Sequence, residues 1–155
     1  MIILINTLVF IIVFSLMEFV AWWTHKYLMH GILWILHQDH HNKNTHHFYE
    51  KNDLFALIFA VPSIIFIIIG TQTGLDKVYF WIGSGIAFYG AAYFFAHDVF
   101  IHQRIKLLRN VNIKYFKALR RAHKIHHKHL NKENGESFGF LWVPKKYRED
   151  LNILK

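Results

Sequence analysis

The sequence predicts an all-α integral membrane protein: three or four transmembrane helices carrying a cytoplasmic cap of histidine-bearing helices. Three observations predict it. Uncharged apolar runs are long enough to cross a bilayer, Lys and Arg fall almost entirely on one side of them, and thirteen His occur with no Cys. Hydrophobic residues are 54% of the 155 and charged residues 18%, against a soluble norm of about 45–50% and 25%. That balance excludes a disordered chain, and the absence of Cys excludes a disulfide scaffold. The apolar excess argues against a nucleic-acid module despite a net charge of +8.

The first run, about residues 2–23, has no charge before Glu18 and no Lys or Arg before Lys26. It lacks the basic start and small-residue cleavage site of a signal peptide, so a retained helix is expected. The second and third runs are expected at about 54–72 and 78–96, each near the roughly 20 residues a crossing needs. Pro62 is expected to kink the second. Gly83, Ala87 and Ala91 recur every four residues in the third, with Gly90 beside them; such a stripe permits close helix packing or leaves room for a slender lipid. One membrane domain over 1–155 is expected, with 24–53 and 97–155 in the cytoplasm. Those segments hold 17 of the 18 Lys and Arg, leaving only Lys77 outside, as the positive-inside rule requires. Segment 97–155 carries 14 basic and 5 acidic residues. Within it, Ile105–Leu119 places Leu108, Val111, Tyr115 and Leu119 at near-helical spacing, which predicts a surface helix. Phe138–Val143 is apolar but too short to cross, and a dip into the interface is expected.

The histidines form a duplicated scheme. His25 and His30 make an H-x-x-x-x-H pair, and His37, His40 and His41 an H-x-x-H-H triplet. After the second and third runs, His97 and His102 repeat the pair, and His123, His126 and His127 the triplet. A hairpin of two crossings returns the chain to the side it left, so all ten reach one membrane face. In an α-helix, residues i, i+3 and i+4 share a face, so each triplet is expected to aim three imidazoles at one locus. The pairs fit less well: five residues turn about 140°, so a pair serves two metals or sits on an irregular helix end. Ten imidazoles suit two ions, and imidazole alone does not select among Fe, Zn, Cu and Ni. His46, His47 and His129 lie outside the repeat and are read as non-ligands.

Carboxylates are few. Glu18, inside a span, is either a partner to a ligand imidazole or a helix-packing hydrogen bond. Asp98 and Asp39 adjoin ligand candidates and either orient a histidine or are solvated. Glu50 and Asp53 are read as helix-start residues. Trp22 and Trp23 precede His25, and Tyr93, Phe94 and Phe95 precede His97; Trp22 and Phe94 are expected to line a substrate pocket, while Trp23 and Tyr93 either join that wall or form an interfacial belt.

The stretch Glu18, Ala21-Trp22, His25 through Gly31, Trp34, His37 and His40-His41 resembles the bacterial β-carotene 3-hydroxylases of the fatty acid hydroxylase superfamily. So do Asn52-Asp53, His97-Asp98, His102, His123, His126-His127, Phe138 through Leu141, and Val143 through Tyr147. The likeness covers roughly residues 15–150, with Lys26 where the family pattern has Arg. It implies a non-haem di-iron monooxygenase that uses O₂ to hydroxylate C3 of each β-ionone ring, giving β-cryptoxanthin and then zeaxanthin. The ten histidines would be the ligands of two Fe ions. No G-x-G-x-x-G motif is present, so electrons are expected from an external reductase or ferredoxin. The basic segment suits an acidic donor of that kind, or equally anchors the chain to the bilayer. Alternatives are a fatty-acyl or sterol hydroxylase or desaturase, a carotenoid C4 ketolase, and, outside enzymes, a His-rich metal transporter. A transporter would be expected to line a path with ionisable residues at mid-membrane.

Overall fold

The computed structural model describes residues 1–42, 49–130 and 132–153, with the side chains of 150–153 excepted. His46 and His47 lie outside the described residues. Every regular element among the described residues is helical. Three stretches are long and apolar enough to cross a membrane: Ile2–Ile32, Lys51–Thr73 and Val78–Ile101. The protein is therefore an integral membrane protein. The chain divides into two compact units, 1–19 with 53–92, and 20–52 with 93–155.

The first unit is built from α1 (Ile2–Trp23, which continues into the second), α3 (Phe55–Thr73) and α4 (Val78–Phe94). Its burial is inverted relative to a water-soluble bundle. Ile3, Leu4, Phe19, Ile64 and Phe88 are all more than half exposed. Such a surface is costly in water and costs nothing against acyl chains, while the helical ladder satisfies the backbone internally. The polar exceptions are paired. Buried Asn6 donates to the Asp76 carbonyl at 2.9 Å, and Ser63 donates to the Gly83 carbonyl at 2.9 Å. Tyr89, 1% exposed, donates its hydroxyl to Glu18 at 2.7 Å. Glycines set the helix spacing. A Cβ at Gly83 would lie 2.8 Å from the Ile67 nitrogen and the Ser63 carbonyl, and one at Gly85 would lie 3.0 Å from Val13. The expected small-residue stripe is only partly used, since Ala87 and Ala91 are exposed while Gly83 is buried. Helix α3 runs unbroken through Pro62.

The second unit holds every candidate ligand. A π-helix, Thr24–Ile32, continues from α1, leaves helical geometry at Gly31 and gives way to α2 (Trp34–His41). A second π-helix, Phe95–Ile101, continues from α4. Then come α5 (Lys114–His126) and α6 (Lys145–Ile153). Their small apolar core joins Phe100, Ala118, Leu119, Ala122, Val143 and Tyr147. The expected surface helix over Ile105–Leu119 is not formed, because helix begins only at Lys114 and Leu108 and Val111 pack against this core. Arg120 holds the intervening turns. Its guanidinium lies 4.1 Å from the Phe100 ring and donates to the carbonyls of Phe100, Leu108 and Arg109 at 3.0–3.2 Å. Those bonds satisfy backbone that a helix would otherwise have satisfied. Nor does Phe138–Val143 present its apolar face to an interface: Phe138, Phe140 and Val143 are at most 3% exposed, and only Trp142 projects outward.

Candidate metal centre

The irregular helix ends explain the H-x-x-x-x-H pairs. In a π-helix the backbone bonds run i to i+5, so residues five apart return to nearly the same direction. The His102 N–H donates to the His97 carbonyl at 2.9 Å in this register, and the Leu33 N–H to the Leu28 carbonyl at 2.9 Å. Each pair thereby serves one centre.

The donor nitrogens gather in two groups, each spanning no more than 4.8 Å: His25, His30, His37, His41 and His126 in one, His40, His97, His102 and His123 in the other. His127 joins the second through an Nε2–Nε2 approach to His123 of 2.8 Å. The expectation that each triplet aims at one locus is corrected here. His37 and His41 face the first centre while His40 crosses to the second; His123 and His127 face the second while His126 crosses to the first. On an α-helix the i+3 and i+4 directions differ by about 100°, wide enough to divide a triplet between two centres. Each centre thus receives one pair, the i and i+4 members of one triplet, and the i+3 member of the other. The rings of His41 and His127 stack at 4.2 Å where the centres adjoin.

The hydrogen bonds behind the rings fix which nitrogen is free. His25, His30 and His126 donate from Nδ1 to the carbonyls of Phe138, Leu130 and Glu136 at 2.9, 2.9 and 3.0 Å. His37 donates from Nδ1 to Asn52 Oδ1 at 2.7 Å, His40 to Glu50 Oε2 at 2.7 Å and His97 to Asp98 Oδ2 at 3.2 Å. A carbonyl only accepts, so Nδ1 carries the proton and Nε2 the lone pair. The Nε2 atoms within each set then face one another. His25 and His41 approach His37, and His30 approaches His126, each Nε2 to Nε2 at 3.1 Å; His102 approaches His123 at 2.8 Å. The buried Nε2 of His40 has no hydrogen-bond partner. Between His25 and His37, and between His30 and His126, both Nδ1 protons are placed behind, so two lone pairs converge and repel, and a cation reverses the sign. Ligands bound at about 2.1 Å and at right angles are separated by about 3.0 Å, so the observed spacings fit shared metals. Burial also keeps the rings in the ligand form. Desolvation, reinforced by neighbouring imidazoles, pulls His41 down to about 3 and His40, His102, His123 and His126 well below the usual histidine range.

The remaining site residues are placed as follows. Asp98 backs His97, whereas Asp39 accepts from the Lys51 N–H at 2.7 Å. Glu18 bonds to Tyr89, a packing contact in the first unit. Glu50 is corrected from a helix-start residue to the partner of His40. Asn52, singled out only within the family resemblance, backs His37; the carbonyls of Leu130, Glu136 and Phe138 are supporting groups that the sequence does not mark, since a carbonyl belongs to every residue. Exposed His129 stands apart from both groups. Among aromatics, Trp22 packs edge-on against Tyr27 at 6.1 Å with Lys26 over its face, and Phe94 is 50% exposed. Rings that touch ligand imidazoles include Trp34, Tyr93, Phe138 and Phe140. Tyr93 stacks on His97 at 4.9 Å and Phe140 on His25 at 5.1 Å. Of the two readings for Tyr93, this contact favours a wall of the histidine cluster.

Comparison with known proteins places the whole chain. The fatty acid hydroxylase family model matches residues 10–143. The chain is 41% identical over 139 residues to a β-carotene hydroxylase of Pantoea ananas, covering 90% of this chain and 78% of that one. It is 37% identical to one from Paracoccus sp. (strain PC1), covering 87% and 83%, and 38% identical to the chloroplastic β-carotene hydroxylase 1 of Capsicum annuum, covering 90% and 44%. No solved structure matches. Three helices able to span a bilayer, a family match covering most of the chain and relatives about 40% identical lead to one conclusion: the protein is a hydroxylase that belongs to the fatty acid hydroxylase family.

Proposed function

We propose that the protein hydroxylates β-carotene at C3 of its β-ionone rings, giving β-cryptoxanthin and then zeaxanthin, with two non-haem Fe ions held by the ten histidines. The observation that carries the metal reading is the convergence of imidazole Nε2 atoms in two sets. The substrate rests on the relatives named β-carotene hydroxylase. When bound, the iron pair would supply O₂ activation for insertion of one oxygen into an unactivated C–H bond. Each hydroxylation consumes one O₂, two electrons and two protons, and releases the second oxygen as water. The residues' own part is to present neutral Nε2 donors, fix their directions from behind and keep water out with Trp34, Tyr93, Phe138 and Phe140. Trp22 and Phe94 are proposed to contact the hydrocarbon ring, which offers no polar group for a directing hydrogen bond. The electrons are proposed to come from a ferredoxin-type donor at the basic segment 97–155, with the site on the cytoplasmic face of a bacterial inner membrane.

Pigment extraction tests the substrate. Cells that make β-carotene and express the chain should accumulate β-cryptoxanthin and zeaxanthin. Unchanged β-carotene accompanied by newly hydroxylated acyl lipids would discard the carotenoid and keep the hydroxylase.

A further inference from the structure

The two centres share a ligand pattern but not a backing. Behind the first, the Nδ1 protons go to three backbone carbonyls and the Asn52 amide, all neutral. Behind the second, His40 and His97 donate to the carboxylates of Glu50 and Asp98. Arg104 spans that pair, with Nη2 at 3.0 Å from Glu50 Oε2 and Nη1 at 3.1 Å from Asp98 Oδ1. The three side chains are at most 16% exposed, so solvent screens them weakly. The backbone sets the guanidinium in place. Gln103 adopts a left-handed φ of 55°, and the following Arg104 N–H donates to the Asp98 carbonyl at 2.9 Å.

A carboxylate behind a ligand imidazole raises the basicity of the coordinating nitrogen and fixes the ring, and losing such a partner costs about 10–100-fold in metal affinity. Two carboxylates brought this close also repel each other. A cation with two separated N–H edges can hold both, which the single ammonium of Lys does poorly. We propose that Arg104 is a positioning residue that clamps Glu50 and Asp98 behind the second centre alone, making the two metal sites unequal, the second retaining its ion more tightly. This rests on the two-metal reading above.

The test uses the full chain in detergent, loaded with cobalt(II) as a spectroscopic probe and then exposed to excess chelator. The expected wild-type result is two ions per chain, released in a fast and a slow phase of equal amplitude. Arg104→Lys and Glu50→Gln should each accelerate the slow phase about 10–100-fold and leave the fast phase alone. Asn52→Ala, which removes the partner of His37, should accelerate only the fast phase. A merely structural role for Arg104 would move both phases together in Arg104→Lys, and that result would overturn the proposal, as would a slow phase untouched by Glu50→Gln. Fewer than two ions in the wild type would instead overturn the two-metal reading itself.

Discussion

A neutral imidazole has one proton for two nitrogens, so an acceptor placed behind Nδ1 decides that Nε2 faces the centre with its lone pair. Six of the ten ligand candidates have such an acceptor in a described contact. The two centres depend on each other through their crossing residues, His40 and His126. His126→Ala should therefore lower metal content and abolish hydroxylation, whereas His129→Ala, altering an exposed ring outside both groups, should retain most activity. Metal analysis and product quantification on the two purified variants check this. Full activity in His126→Ala would remove it from the ligand set. At this scale the histidine pattern was legible, because imidazoles that bind metal must recur at spacings a helix can present. Glu50 was not legible as a partner of His40, since ten residues separate them and no local pattern joins the two.

Among elements, the decisive feature is the change of helical register where α1 and α4 pass into π-helix. An α-helical register would send His25 and His30 in directions about 140° apart; the wider turn brings them together, and the same holds for His97 and His102. No propensity rule marks a π-turn in advance, so the sequence left this pair open between two metals and an irregular end. Packing of α3 on α4 is more readily tested. A Cβ at Gly83 meets the backbone of Ser63 and Ile67 at 2.8 Å, whereas one at Gly90 meets nothing within 4 Å. Gly83→Val should separate the helices and disturb the Ser63 hydrogen bond, at a cost of about 1–3 kcal/mol. Gly90→Ala should leave stability unchanged or slightly raised, because Ala is the better helix former. Thermal unfolding in detergent, followed by circular dichroism, should give a lower midpoint for Gly83→Val alone. Equal midpoints would show that Gly83 does not set the helix spacing.

At the scale of the whole molecule, charge distribution predicts how the chain threads the bilayer. Lys77 is the one basic residue of the turn between α3 and α4, against 17 in segments 24–53 and 97–155. A reporter fused after residue 155 should read as cytoplasmic, and one inserted at Gly74 as external. A cytoplasmic signal at Gly74 would reverse the proposed orientation of the site. The inverted burial of α1, α3 and α4 is the structural counterpart of the apolar runs.

What the sequence determined by itself is what short-range periodicity and bulk composition can encode: three spans, their helical nature, and ten histidines in a repeated pattern. Their signals are repeated along the chain, and each follows from the bilayer's thickness or the pitch of a helix. Tertiary structure alone decided how the set is divided. Only packing could send His40 and His126 across to the opposite centre, bring the carbonyls of Leu130, Glu136 and Phe138 behind imidazoles some 10 to 113 residues away, and join Glu50 to Asp98 through Arg104. The same holds for segment 103–113, where helical spacing of apolar residues gave way to turns once Arg120 could bond the free carbonyls. The physical reason is that a backbone carbonyl or a single carboxylate acquires its role from what folds against it, and that neighbour lies beyond any local pattern.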